Sequence, residues 1–468
     1  MNYKELQLKI GLEIHRQINT HKLFCHCKSE LEDSKPNHLL KRYLHDVSSE
    51  TGEKDVVAAY EKAKKRYAIY EVMDASSCAV ETDEEPPHKI NRDALDAVLE
   101  VVLLLNCKII NPIQVMRKQV LDFSNTAGFQ RTAMVAMNGW VETKSGRVGI
   151  TSVCLEEDSA RRIKTAKDHV VFRLDRLGIP LIEITTEPDI TTPEQAQEVA
   201  TYLGMVLKST GKFKAGLGTI RQDINVSSKG HVRVEIKGMQ NLKLIPKAVD
   251  KEIARQQKEK KGKGEVRNVK PDGSTEYLRP MPGAARMYVE TDHPLIEISQ
   301  KELKEIKTAE LLDEKIVQLE KKYNLNAVVA KEVIGNELFL KCVKKYKLEP
   351  TLIAKVLIEA PKEIKTRFKL NVEKIKEKDY HFVLEQLEKK TIPKEAALEI
   401  LTTLAKGKKV DLNKYKGVSA DKLEKEIKEL VQKKKGIALN ALMGIIMGKY
   451  RGKVDGKKVM ELLKKHAK

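Results

Sequence analysis

Leu8-Lys9-Ile10-Gly11-Leu12-Glu13-Ile14-His15 is the stretch from which the fold can be read. Leu8, Ile10, Leu12 and Ile14 alternate with Lys9, Gly11, Glu13 and His15, so a strand buries the first set and directs Glu13 and His15 to the opposite face. A carboxylate and an imidazole two residues apart on one strand face are spaced like metal ligands. Three further strand-like runs carry charge in apolar surroundings: Glu156, Glu157 and Asp158 follow 148–155, Glu183 lies in 180–185, and Asp223 lies in 220–226. Burying a carboxylate is costly unless a cation or hydrogen bonds compensate. Each of these taken alone is explained by a neighbouring Arg or Lys. Together they point to a shared divalent ion, and oxygen donors with one His suit Mg²⁺ or Mn²⁺.

A chain of 468 residues can bury sizeable cores and is expected to hold two to four domains. It has no apolar run long enough to span a bilayer, and Met1-Asn2-Tyr3-Lys4-Glu5 does not open a signal peptide, so a soluble cytoplasmic protein is expected. Six cysteines in this length argue against a disulfide scaffold. The formal charge of +20 is uneven: residues 401–468 hold 19 Lys and Arg against 7 Asp and Glu. A basic end is the footprint of a polyanion-binding protein, RNA above all. Aromatic residues make up only 5% of the chain, so phosphate and shape contacts should outweigh base stacking.

The first 298 residues mix strand and helix signals, and the remainder is helical in pattern. The reading is α+β: a cradle domain over 1–298 built on a largely antiparallel sheet with helices, an all-helical domain over 299–400, and a small basic helical tail over 401–468. A helix is expected over 94–106, and Thr192-Pro193-Glu194-Gln195 opens another that Gly211 closes. Residues 231–237 alternate cleanly, with Val232, Val234 and Ile236 opposed to Arg233, Glu235 and Lys237. The polar stretch 258–273 reads as a flexible loop.

Three motifs remain. Cys25 and Cys27, with the lone Cys78, read as free buried thiols; zinc on these three is the alternative and needs a fourth ligand such as His26 or His45. Arg117 and Lys118, followed by Ser124-Asn125-Thr126-Ala127-Gly128-Phe129-Gln130-Arg131-Thr132, could cradle a phosphate through backbone N–H groups and cationic side chains, or form a plain turn. Pro280, Pro282 and Gly283 stiffen a turn between Arg279 and Arg286, which could reach a nucleotide or pair with the carboxylates.

Residues 11–27, 155–159, 173–184, 187–190 and 220–227 together resemble the signature blocks of the GatB/GatE family. Residues 83–87, 124–131 and 277–292 resemble its archaeal branch, and 442–448 with 450–456 resemble its YqeY-like tail. The resemblance implies a tRNA-dependent amidotransferase subunit. It would use ATP and Mg²⁺ to phosphorylate the glutamyl side chain of Glu-tRNA(Gln), then amidate it with ammonia from a GatD-like asparaginase partner. A non-catalytic tRNA-binding adaptor is the alternative. Carried over block by block, it makes Glu13, His15, Glu156, Glu157, Glu183 and Asp223 the candidates for metal binding and phosphoryl transfer. Lys118, Ser124, Asn125, Arg131 and Arg286 become the candidates for the nucleotide or acyl phosphate. One departure stands out: an insertion domain is usual in the archaeal branch before residue 277, and here only 258–273 occupies that place.

Overall fold

The computed structural model describes residues 1–43, 66–120, 122–216, 218–258, 264–281, 287–334, 336–408, 410–415, 420–433, 439–450 and 456–466. Among them the chain forms two compact units, Met1–Leu311 and Leu312–Lys468. The first extends past the compositional break at 298 because Leu303, Ile306 and Leu311 pack against its core.

That unit is α+β. Its elements are β1 (Lys9–Gln17), β2 (His38–Tyr43), β3 (Tyr67–Val72), α1 (Arg92–Leu104), β4 (Lys108–Ile109), β5 (Val115–Gln119), β6 (Phe129–Thr143), β7 (Gly146–Glu157), β8 (Arg161–Thr165), β9 (His169–Arg173), β10 (Pro180–Thr186), α2 (Pro193–Ser209), β11 (Ile220–Ser227), β12 (Val234–Met239), α3 (Ile245–Lys258), β13 (Glu265–Val269), β14 (Thr275–Pro280) and β15 (Met287–Val289). A large sheet runs β14, β13, β12, β11, β1, β10, β7, β6, β5, β15, with β4 also on β6. Its described pairings are antiparallel except β12 with β13. A smaller sheet runs β2, β3, β9, β8.

β1 lies inside the large sheet, and its alternation fixes the faces. Ile14 is paired with Ile184, and Leu12 with Ile224, so apolar side chains line up strand after strand. Ile10, Leu12, Ile14, Val153, Leu155, Ile182, Ile184, Ile224 and Val226 are buried in one core with residues of α1, α2 and α3. α1 begins where Asn91 accepts a hydrogen bond from the Ala94 N–H (3.1 Å). α2 begins at the Thr192 cap with Pro193 in its first turn. α3 buries Ile245, Ala248, Val249, Glu252, Ile253 and Gln256, a helical stripe. With its apolar side occupied, the sheet's other face is left for polar residues.

Two stretches differ from the sequence reading. Residues 258–273 are not simply a loop: α3 runs through Lys258, and β13 pairs β12 and β14, because buried Val266 extends the apolar row of the sheet. Val232, expected on the buried side of a strand over 231–237, is 49% exposed, since β12 starts only at Val234.

The second unit is helical. Helices from Leu312–Tyr323 to Ala396–Ala405 enclose one core around Phe339, Ile353, Ile364, Val383, Leu384 and Ile400. Ala420–Lys433, Leu439–Lys449 and Gly456–His466 form a separate small cluster around Leu423, Ile427, Leu442, Ile446, Val459 and Leu463. No helix among the described residues is long and apolar enough to cross a membrane.

Candidate active site

Cross-strand register carries the polar set onto one face. His15 is paired with Glu183 on β10, Glu183 with Cys154 on β7, and Glu156 with Thr132 on β6, while Glu13 is paired with Asp223 on β11 and Asn225 with Glu235 on β12. Residues directly opposite in a sheet share a face, so distant segments meet without any loop to arrange them.

Two acidic groups result. In the first, His15 Nε2 lies 3.0 Å from Glu183, and Lys118 Nζ lies 3.2 Å from Glu156 and 3.5 Å from Glu183. Gln130 and Thr132 donate to Glu156, the former at 3.2 Å. Burial raises the Glu183 pKa, but Lys118 and then His15 outweigh it and hold this carboxyl below the usual range. Lys118 is pushed up, chiefly by Glu156 and against its own burial. His15 is 5% exposed, and its Nδ1 is buried with no hydrogen-bond partner among the described residues. Ligand atoms of His15, Glu156 and Glu183 all lie within 4.8 Å of one another.

The second group is Glu13, Asp223 and Glu235, mutually within the same distance. Lys237 sits against both Asp223 (2.6 Å) and Glu235, and Asn225 donates to Glu13 at 2.9 Å. Burial, then Glu183, Glu235 and Asp223, raises the Glu13 pKa against the pull of Lys237. Burial raises Asp223 too, but Lys237, His15 and Arg221 reverse it and keep this carboxyl depressed. Five carboxylates thus face two lysines, one arginine and one imidazole. This surplus negative charge, with the unpartnered His15 nitrogen, makes a donor set of oxygens and one His that fits a Mg²⁺-like ion.

Glu157 and Arg131 do not join these groups. Alternation turns them to the sheet's other side, where Arg131 Nε is 2.9 Å from the fully buried Glu290 and its backbone N–H donates to Glu157 (2.9 Å). Arg117 completes that network at 2.5 Å from Glu290. Burial leaves the Glu157 pKa raised despite Arg131. Ser124 bonds Asp122 through its hydroxyl (2.6 Å), and the Asn125 amide reaches Glu157 at 3.4 Å, so both side chains are engaged within their own turn and that network. Arg286 lies outside the described residues. Sequence reading placed Gln130 and Thr132 only within a possible phosphate-cradling turn, and did not assign Asn225, Glu235 and Lys237 to the site. The alternation of 231–237 held the signal for Glu235 and Lys237, but not the register that sets them beside Asp223.

Cys25, Cys27 and Cys78 do meet, and the fourth ligand atom within 4.8 Å of all three belongs to Glu81. His26 is exposed at its position, and His45 lies outside the described residues. The Cys25 thiol donates to Glu81 at 3.0 Å. Hydrogen-bonding contacts with the Cys25 and Cys27 sulfurs hold Cys78 below the usual thiol range. Those to Cys27 and Cys78, then burial, push Cys25 up. Three sulfurs and a carboxylate oxygen form a set that fits zinc.

Comparison with known proteins agrees with this architecture. A model described as the GatB/GatE catalytic domain matches residues 8–304, and one described as a GatB domain matches 337–466. The E subunit of the glutamyl-tRNA(Gln) amidotransferase of Methanocaldococcus jannaschii is 35% identical, with 100% of this chain and 99% of the relative covered. The E subunits from Methanococcus maripaludis and Archaeoglobus fulgidus are each 34% identical at the same coverage. The first alignment runs over 627 positions against the 468 residues of this chain, so the relative is the longer protein. The chain belongs to the GatB/GatE family.

Proposed function

We propose that this chain is the subunit of a tRNA-dependent amidotransferase that carries the ATP-dependent steps, converting Glu-tRNA(Gln) to Gln-tRNA(Gln). The relatives are named glutamyl-tRNA(Gln) amidotransferase subunits, which supports both the substrate and the existence of partner subunits. The carrying observation is the buried polar face where Glu13, His15, Glu156, Glu183 and Asp223 converge with more negative charge than Lys118 and Lys237 offset.

In the first step an oxygen of the substrate's side-chain carboxylate attacks the γ-phosphorus of ATP, and ADP leaves. In the second, ammonia attacks the resulting acyl phosphate at carbon, phosphate departs, and the nitrogen loses a proton. His15, Glu156 and Glu183 would hold Mg²⁺, which when bound neutralises the charge developing on the phosphates. Lys118, already between Glu156 and Glu183, adds a fixed positive charge beside the phosphates. Lys237 keeps Asp223 ionised within the second acidic group. Burial of this face limits hydrolysis of the acyl phosphate. A GatD-like asparaginase partner supplies the ammonia. Zinc, if bound, would be held by Cys25, Cys27, Cys78 and Glu81 and would tie the segment after β1 to the segment before α1.

The test is purified protein with GatD-like partner, asparagine, ATP, Mg²⁺ and Glu-tRNA(Gln). Formation of Gln-tRNA(Gln) with stoichiometric ADP is expected. tRNA binding without ATP turnover, from a folded sample, would instead leave the adaptor reading.

A further inference from the structure

The outer face of the smaller sheet sets aromatic rings beside lysines. β2, β3 and β9 each contribute one ring at the same register level, Tyr43 opposite Tyr67 and Tyr67 opposite His169. Ring centroids are 5.8 Å apart in the first pair and 5.4 Å in the second, where the planes lie within 23°. One level along, Lys41, Ile69, Val171 and Lys164 are in register across all four strands. The Lys41 ammonium sits 4.0 Å from the Tyr67 centroid and 5.2 Å from that of Tyr43.

The opposite face of this sheet is a core, where Ala68, Tyr70, Val72, Val170 and Phe172 pack with Phe123, Leu174 and Leu177. Packing therefore accounts for the inward residues and for the half-buried Tyr67 against His169. It does not account for Tyr43, which stands on an edge strand 60% exposed, nor for Leu39 on the same strand and face at 65%. No carboxylate among the described residues is within ion-pair distance of Lys41. Lys164 and Lys167 are exposed, and Asp168, whose charge acts on Lys41, is bonded to His169 Nδ1 at 2.9 Å.

We propose that this open face, with Tyr43 as its stacking ring and Lys41 and Lys164 as its phosphate contacts, binds a single-stranded stretch of RNA. Unpaired bases stack on exposed aromatic rings, whereas a duplex hides its base faces and offers only phosphates. Lys41 stands beside the Tyr43 ring and Lys164 three strands across the same face, so base stacking and phosphate contacts are offered together. A protein partner is disfavoured because the exposed apolar surface is narrow and interrupted by lysines. The inference rests on the reading of the substrate as tRNA and adds where its unpaired nucleotides are held.

The test uses the full chain with a fluorescent single-stranded RNA octamer and a blunt RNA duplex of the same composition. Tyr43→Ala should weaken octamer binding about five- to tenfold, spare duplex binding, and be rescued by Tyr43→Phe. Lys41→Ala should make the salt slope of octamer binding shallower by roughly one unit. In the amidation assay Tyr43→Ala should raise the KM for tRNA by a similar factor. Octamer binding unchanged in Tyr43→Ala while wild-type protein remains active overturns this proposal alone. Loss of partner-subunit binding with RNA affinity intact also overturns it, in favour of a protein interface. Wild-type protein that binds neither RNA nor forms product overturns it together with the proposed function.

Discussion

His15 and Glu183 meet across the β1–β10 pairing, Nε2 at 3.0 Å from the carboxylate, while the imidazole's other nitrogen is buried with nothing to bond among the described residues. The pair is tied to the rest of the site by Lys118, which reaches Glu183 and Glu156 together. A buried imidazole with one nitrogen unmet, beside two carboxylates bridged by one lysine, is a poor arrangement for stability alone.

Glu183→Gln keeps the shape and removes the charge that Lys118 and His15 hold ionised. Glu-tRNA-dependent ADP release should fall on the order of 100-fold, with tRNA affinity within about twofold of wild type. Single-turnover ADP release and tRNA binding measured on the same sample check this. Full ATP turnover by the variant would remove Glu183 from the phosphoryl-transfer site.

Glu157 should behave as a stability residue with a distinctive pH signature. Burial raises its folded pKa above the ordinary carboxylate range, so the stability it contributes is complete below the unfolded pKa and is lost as pH rises through the folded one. Replacing it by Gln removes that dependence. Urea midpoints should therefore show wild type gaining on Glu157→Gln as pH falls from about 7 towards the unfolded carboxylate value of about 4.3. Mg²⁺ affinity should be unaltered, and a large loss of it would return Glu157 to the metal centre.

Cys78→Ser tests the thiol cluster. If zinc is held there, metal analysis should find about one equivalent in wild type and a marked loss in the variant, with a lower melting temperature. A strong chelator should lower the wild-type melting point towards that of the variant. Equal metal content and identical melting would mean that the three thiols are simply buried.

The basic tail can be removed, but not at residue 401. Leu401, Ala405 and Tyr415 belong to the helical core, whereas the cluster from Leu423 to Leu463 is separate. Deleting 419–468, which carry 14 Lys and Arg against 6 Asp and Glu, should leave the melting of the remainder intact and weaken tRNA binding. The slope of log affinity against log salt should become shallower by nearly one unit for each phosphate that is no longer neutralised. A salt titration indistinguishable from wild type would assign tRNA binding to other surfaces.

The alternation of residues 8–15 determined by itself that a strand runs there, which side chains enter the core, and that Glu13 and His15 share the other face. The reason is local, because the period of a strand leaves no other way to bury Leu8, Ile10, Leu12 and Ile14. The same period in 231–237 put Glu235 and Lys237 on a polar side, and Thr192-Pro193 opened a helix as expected. Which carboxylates meet was decided only by register. Glu156 and Glu157 are neighbours of like chemistry, yet one faces Lys118 and the other Arg131, because pairing of Glu156 with Thr132 sends them to opposite sides. Nor could spacing select Glu81 over His26 beside Cys25, Cys27 and Cys78, since that choice depends on how the turn before α1 folds back onto the segment after β1. Strand identity is written in a few adjacent residues, whereas the partner of a buried charge is set by pairing between segments far apart in the chain.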